Sequence, residues 1–308
     1  MIAIPRLAGH DRWERVTEAV TDNTHADAFT HTVRILERSG DAPEPDAGVE
    51  VTAVALPSPT YELREVRARA LAGAIDPTVL AGCGTLAGVP MVGGLGRRIA
   101  EATGDGPGAR LVRDAIVEIA RLARQVAKLP RADAERAITM GPEACWEMDR
   151  AGFADLPDSC FTYSAEGRGR FGTRPVATAM TADLYSPPRG RARVFVRRKV
   201  ARLEHVDGRL RLFHSMHDNV HGFDVVYEVD PVTGRVVHAD SVTSRLPYAG
   251  ICSEPQRRIA LMVGETLDAG LPKRIQAHLG GAAGCAQLYD LTADLLRLVA
   301  ATERGVRA

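Results

Sequence analysis

The strongest constraint on how this chain folds is that part of it is written twice. The segment "GLGRRIAEATGDGPGARLVRDAIVEIARLARQVA" from Gly94 aligns without gaps to "GLPKRIQAHLGGAAGCAQLYDLTADLLRLVAATE" from Gly270, with nine of 34 pairs identical. Gly104 and Gly108 fall on Gly280 and Gly284. Val112, Ala115, Ile119 and Leu122 fall on Leu288, Leu291, Leu295 and Leu298, the three-and-four spacing of one apolar helix face. Upstream, "GVEVTAVALPSPTYELREVRARA" from Gly48 lies over "GFDVVYEVDPVTGRVVHADSVTS" from Gly222 at nearly the same offset. Each reads as two β-rich runs joined by a turn after Pro57 or Pro231. Strands first, then two helices around a glycine loop, used twice, predict an α+β protein. The expected architecture is two related β-hairpin-plus-two-helix units from an internal duplication, packed as a pseudo-twofold pair.

On this reading residues 1–130 are a first, degenerate repeat and residues 191–308 are the second. Residues 131–190 become rich in Gly, Pro, Ser and Arg after a short helix, as a connecting segment would. Sixty residues are long for an idle linker, so the alternative is a segment that covers a site. A chain of 308 residues, 45% hydrophobic and 25% charged, is long enough to bury a substantial core.

Basic and acidic residues balance at 39 each, so no net field draws the chain to nucleic acid or an anionic membrane. No apolar run approaches the roughly 20 residues that span a bilayer, and no membrane partner is expected. Five cysteines are an odd number with no C-x-x-C pair, and "MIAIPRLAGHDRW" lacks a signal-peptide core, which points to reduced thiols in the cytoplasm. Rossmann and Walker patterns are absent, so no nicotinamide or flavin nucleotide is expected. Assembly into a homo-oligomer is left open.

Chemistry concentrates in "HSMHDNVH", residues 214–221. On a strand, His214, Met216 and Asp218 share one face and His217 takes the other; on a helix, His214, His217 and His221 come together. Two or three imidazoles with a carboxylate suit a divalent metal such as zinc, iron or manganese, with His214, His217, Asp218 and His221 as ligands. Without metal, the same groups make an acid–base pair in which Asp218 orients a histidine. The plain alternative is a polar strand end that caps its own loop. At this offset the first copy has Gly40, Pro43, Glu44 and Ala47, so the folding unit does not require the imidazoles.

Cys285 follows "GGAAG" and opens the last helix, where free amides and the helix dipole favour a thiolate. The competing reading is a small buried hydrophobe, and Ala109 stands there in the first copy. Cys252 has a counterpart in Cys83, which fits a shared structural role. The "GGAAG" loop is at most a weak anion site. In "PRGRARVFVRRK", Arg189, Arg191 and Arg193 fall on one side of an extended chain, as on a solvated strand edge; contact with phosphate, coenzyme A or nucleic acid comes second.

The order of motifs in the second half resembles the bacterial domain of unknown function 2889. That family runs H-T-R, a Y-x-R-x-D-G-L-W-type hairpin, L-x-D-T, H-D-M, a Cys after a Pro-rich turn, L-x-G and G-C-T-H-L. The matching text is Arg197, "HVDGRLRL" at 205–212, "MHDN" at 216–219, "HGFDVVYEVD" at 221–230, "PYAGICSEP" at 247–255, "MVG" at 262–264 and "GGAAGCAQL" at 280–288. The resemblance points to Asp218, His221, Cys252 and Cys285. Two positions depart from it: Gln287 stands where the family has His, and "VFVR" stands where it has H-T-R, while "HTVR" occurs in the first half at His31 to Arg34.

The function expected from these residues is non-redox acid–base chemistry of lyase, hydratase or isomerase type, metal-assisted or not, on a small apolar or aromatic substrate. His217 or His221 would carry the proton, with Asp218 as orienter, His214 as a third polar contact, and Cys285 with Gln287 on the opposite wall. A non-catalytic metal- or ligand-binding protein is the alternative.

Overall fold

The computed structural model describes residues 4–300. The alternating patterns of the two halves become two four-stranded antiparallel meanders. The first is β1 (Arg12–Asp22), β2 (Phe29–Ser39), β3 (Ala47–Ala55) and β4 (Leu63–Ala72). A two-residue strand, β5 (Ala177–Thr178), follows much later in the chain. The second meander is β6 (Phe195–Val206), β7 (Arg209–Asp218), β8 (Gly222–Val229) and β9 (Val236–Arg245). Strands β1 and β6 pair antiparallel about Val16 opposite Val200, so the meanders fuse into one sheet of order β4-β3-β2-β1-β6-β7-β8-β9. A short β10 (Tyr248–Ala249) pairs only with β5. The protein is therefore α+β, built on a single large antiparallel sheet.

Each meander is followed by helices. After β4 come α1 (Pro77–Gly82), α2 (Leu95–Thr103) and α3 (Ala109–Ala123). The connecting segment holds α4 (Arg131–Met140), α5 (Pro142–Gly152), α6 (Ala165–Gly169) and α7 (Ala182–Tyr185). After β9 come α8 (Leu271–Leu279) and α9 (Ala286–Ala300). The apolar stripes of α3 and α9 bury Val112, Ala115 and Ile119, and Leu288, Leu291 and Leu295, against one face of the sheet. The other face carries charged cross-strand groups such as Glu14 with Arg202 and Arg34 with Glu50, as an antiparallel sheet with one wet face does.

Residues 131–190 are part of the core. Trp146, Phe153, Phe161 and Tyr185 are buried in the same apolar cluster as Leu212, Phe223 and Leu291. Phe161 N–H donates to the Gly284 carbonyl at 2.8 Å, which ties the segment to the loop before α9. That loop closes so tightly that a Cβ on Gly284 would lie 2.0 Å from the Leu279 carbonyl oxygen, so the position needs glycine.

The expected basic strand edge is not there. Arg189, Arg191 and Arg193 precede β6, which is central, and the edges are β4 and β9. Pairing explains the difference: the Arg193 N–H donates to Asp22 on the neighbouring β1 at 2.6 Å, and the Arg191 guanidinium bonds Asp183 at 2.7 Å.

Candidate functional site: an aromatic cavity with a buried His–Asp pair

The cluster at 214–221 is a strand followed by a tight turn, and the period of two separates its histidines. His214 faces inward, its Nδ1 2.9 Å from the Leu291 carbonyl. Burial, reinforced by nearby Lys199, lowers its pKa to about 3, so the ring is neutral. His217 faces the open side of the sheet and meets Asp224 at 3.2 Å. Asp218 ends the strand on the inner face, and His221 lies across the turn from it. The expected metal set of His214, His217, Asp218 and His221 therefore does not converge. Among the described residues no group of three or more His, Cys, Asp or Glu side chains is placed to hold a metal ion.

What does converge is a chain of buried charges ending in His221. Asp218 Oδ1 accepts the backbone N–H groups of Val220 at 2.8 Å and His221 at 2.6 Å. His221 Nδ1 is 3.1 Å from the same oxygen. Arg197 Nε donates to Asp218 Oδ2 at 2.9 Å, and Arg197 Nη1 donates to Glu118 Oε1 of α3 at 3.1 Å. Burial alone would raise the Asp218 carboxyl, but the His221 and Arg197 charges and these hydrogen bonds outweigh it and hold it well below the usual carboxylate range. An ionised Asp218 accepts only, so His221 Nδ1 carries the proton that it donates to Asp218. The ring is almost wholly buried, its Nε2 makes no hydrogen bond among the described residues, and the side chain lines a cavity.

Beyond Arg197 the charges continue into the junction beneath α3 and α9. Lys199 bridges Glu118 at 3.1 Å and Asp294 at 3.0 Å, and Arg121 holds Asp294 at 2.6 Å. Arg15 holds Asp114, also at 2.6 Å. Desolvation opposes ionisation of Glu118, yet Lys199, Arg197 and Arg121 bring its pKa down to about 2.

The cavity reached by His221 has about 820 Å³ of atom-free space, part of it open to solvent. Phe223, Val220, Leu246 and Pro247 line it from the second meander, and Phe153, Leu156 and Met180 from the connecting segment. Cys285, Cys252 and Cys160 share one wall with Gln287. Of the two readings of Cys285, its surroundings favour the buried small side chain over the thiolate. Burial raises its pKa and prevails over the amides of Gln287 and Leu288 and a contact from Gln256. Burial likewise lifts Cys160 to about 11 and pushes Cys252 higher, with Thr162 Oγ1 3.0 Å from the Cys252 sulfur.

A second carboxyl borders the cavity, from α5. Asp149 is buried and its Oδ2 accepts the hydroxyls of Tyr163, at 2.9 Å, and Tyr248. Tyr185 stands beside it, its own hydroxyl donating to the Cys145 carbonyl. Burial raises Asp149 to about 6 against the pull of these three tyrosines. Asp149 was not among the residues the sequence singled out. The legible signal was an aspartate on the same inward stripe as Cys145, Trp146 and Gly152, where a helix buries one face.

Comparison with known proteins finds a family match in the second half. Residues 185–300 match the family model described as protein of unknown function (DUF2889). The match takes in Arg197, Asp218, His221, Cys252 and Cys285; Asp149, Cys160 and Tyr163 lie outside it. No curated protein and no solved structure is significantly similar to the chain.

Proposed function

We propose that this cavity is the active site of an enzyme that moves a proton on a small apolar or aromatic molecule by non-redox chemistry, of lyase, hydratase or isomerase type. The observation that carries the reading is His221: Nδ1 is anchored on a buried, ionised Asp218, and the ring lines a cavity of aromatic and aliphatic walls. His221 Nε2 takes a proton from the substrate and returns it to the product. Asp218 fixes the tautomer and steadies the imidazolium, and Arg197 keeps Asp218 ionised. His214 and His217 take no part, and Cys285 with Gln287 forms a polar stretch of wall.

We further propose that the two meander-plus-helix halves descend from one duplicated unit and pack about a pseudo-twofold axis between β1 and β6. In support, α2 and α8 are each nine residues long and α3 and α9 each fifteen. The charges of the junction also recur at the offset of the sequence repeat: Asp114 with Asp290, Glu118 with Asp294, Arg121 with Arg297. The five free thiols suit a reducing compartment such as the cytoplasm.

A panel of small aromatic and alkenyl alcohols, acids and carbonyl compounds in D2O tests the enzyme reading, with proton NMR following exchange at carbon. Wild type is expected to incorporate deuterium into at least one compound, and His221→Gln to slow this about 100-fold or more. Binding detected by saturation transfer, with no exchange and no turnover, would instead make this a non-catalytic ligand-binding protein.

A further inference from the structure

The cavity contains an acid that the His221 mechanism does not use. Asp149 lines the cavity and its Oδ2 accepts from Tyr163 and Tyr248, but Oδ1, itself sealed from solvent, makes no hydrogen bond among the described residues, the neighbouring Tyr185 hydroxyl donating to the Cys145 carbonyl. An unpaired buried carboxyl oxygen is costly, and structures retain one chiefly where something else completes it. Asp218, behind His221, shows what completion looks like: a guanidinium, an imidazole and two backbone amides.

We infer that Asp149 Oδ1 is the anchor for a hydroxyl group of the substrate, so that the cavity takes a phenol or alcohol with an apolar body and presents its other end to His221. This rests on the reading of the cavity as a ligand site. The groups around Asp149 favour a hydroxyl over a cation. Tyr163, Tyr185, Tyr248 and Cys145 face the carboxyl, and none of them fixes its charge. With its pKa near 6, Asp149 passes between carboxylate and carboxylic acid close to neutrality. A hydroxyl donates to the first and accepts from the second, so it satisfies Oδ1 in both states; an ammonium satisfies only the carboxylate. The cation already on the cavity, Arg124, is committed to Asp155. The apolar body has Phe153, Leu156 and Phe223 to lie against.

The test uses the full chain and a matched pair of probes, p-cresol and p-xylene, in which a hydroxyl replaces a methyl on the same ring. Wild type at pH 7.5 is expected to bind p-cresol at least tenfold more tightly than p-xylene, and Asp149→Leu to bring the two within twofold. Independently of any variant, saturating p-cresol is expected to lower the midpoint at which the Asp149 carboxyl carbon titrates by NMR, and p-xylene to leave it unchanged. Equal binding of both probes by wild type, a preference that survives Asp149→Leu, or an unmoved midpoint overturns the anchor while the cavity stands as a ligand site. Tighter binding of 4-methylbenzylamine than of p-cresol also overturns it, by placing a cation there. If neither aromatic binds, the anchor fails together with the proposed active site.

Discussion

Two polar regions lie side by side under the sheet and solve the burial of charge differently. In the junction beneath α3 and α9, Glu118, Asp294 and Asp114 each meet a guanidinium or ammonium within 3.1 Å. In the cavity, Asp149 has tyrosine hydroxyls and no cation. Burial pushes every one of these acids upward; only the partners differ, and they take Glu118 down to about 2 and leave Asp149 near 6. A region that supplies its own counter-ions is closed and structural. One that leaves an acid half-satisfied beside open space is where a ligand has something to contribute. Asp218 belongs to both, its carboxyl joined to the junction through Arg197 and to the cavity through His221.

The sharpest way to break the contrast is to remove a cation from the closed region. Arg197→Ala leaves Asp218 and Glu118 facing each other's charge without the guanidinium between them. Loss of one member of a buried ionic group costs about 3–5 kcal/mol, and chemical denaturation at pH 7 is expected to show a loss of that size. The same variant should release His221 from its fixed tautomer, because Asp218 then takes up a proton more easily. A loss below about 1 kcal/mol would mean that water reaches this network and that it is not a closed region.

A smaller effect, of opposite sign, is expected in the open region. The folded protein holds Asp149 near 6, whereas its ordinary value is 3.8. The folded pKa is raised, so the group's contribution to stability is fully present below about 3.8 and is lost as the pH climbs through about 6. Over that window wild type should lose about 3 kcal/mol that Asp149→Asn, which does not titrate, retains. Stability curves of the two proteins should therefore run together at low pH and diverge between pH 4 and 7, the variant becoming relatively more stable. Parallel curves would show that Asp149 titrates normally and that its surroundings are wetter than its burial implies.

The division between the two regions also marks what the amino-acid sequence made legible. The hairpins at 48 and 222 and the apolar faces of α3 and α9 were legible, because their cues are local: alternation, turn residues and a three-and-four stripe. The sequence also set Asp218 and His221 apart as a feature of one half. The connection between β2 and β3 in the first half, residues 40–46, holds no histidine. Partners drawn from afar were not legible. Glu118 reaches Arg197 from 79 residues away, and Asp149 is seated by Tyr163, on the connecting segment, and Tyr248, just beyond β9. Cys285 shows the same limit in reverse. Its place at a helix start argues for a thiolate, but the connecting segment folds over it, and burial decides.

The mildest test concerns the histidine that sequence alone ranked beside His221. His217 is on the wet face of the sheet, and its bond to Asp224 joins two half-exposed side chains on adjacent strands. An exposed pair of this kind contributes little, because water competes for the bond and ordering the side chains costs entropy. His217→Ala is therefore expected to change stability by less than about 0.5 kcal/mol and to leave p-cresol binding and deuterium exchange at wild-type levels. Strand alternation is what makes this test informative. His217 and Asp218 are neighbours in the chain, yet one points to solvent and the other into the buried network. If His217→Ala impaired binding or exchange as His221→Gln is expected to impair exchange, the functional surface would lie on the open face of the sheet and the cavity would lose its assignment.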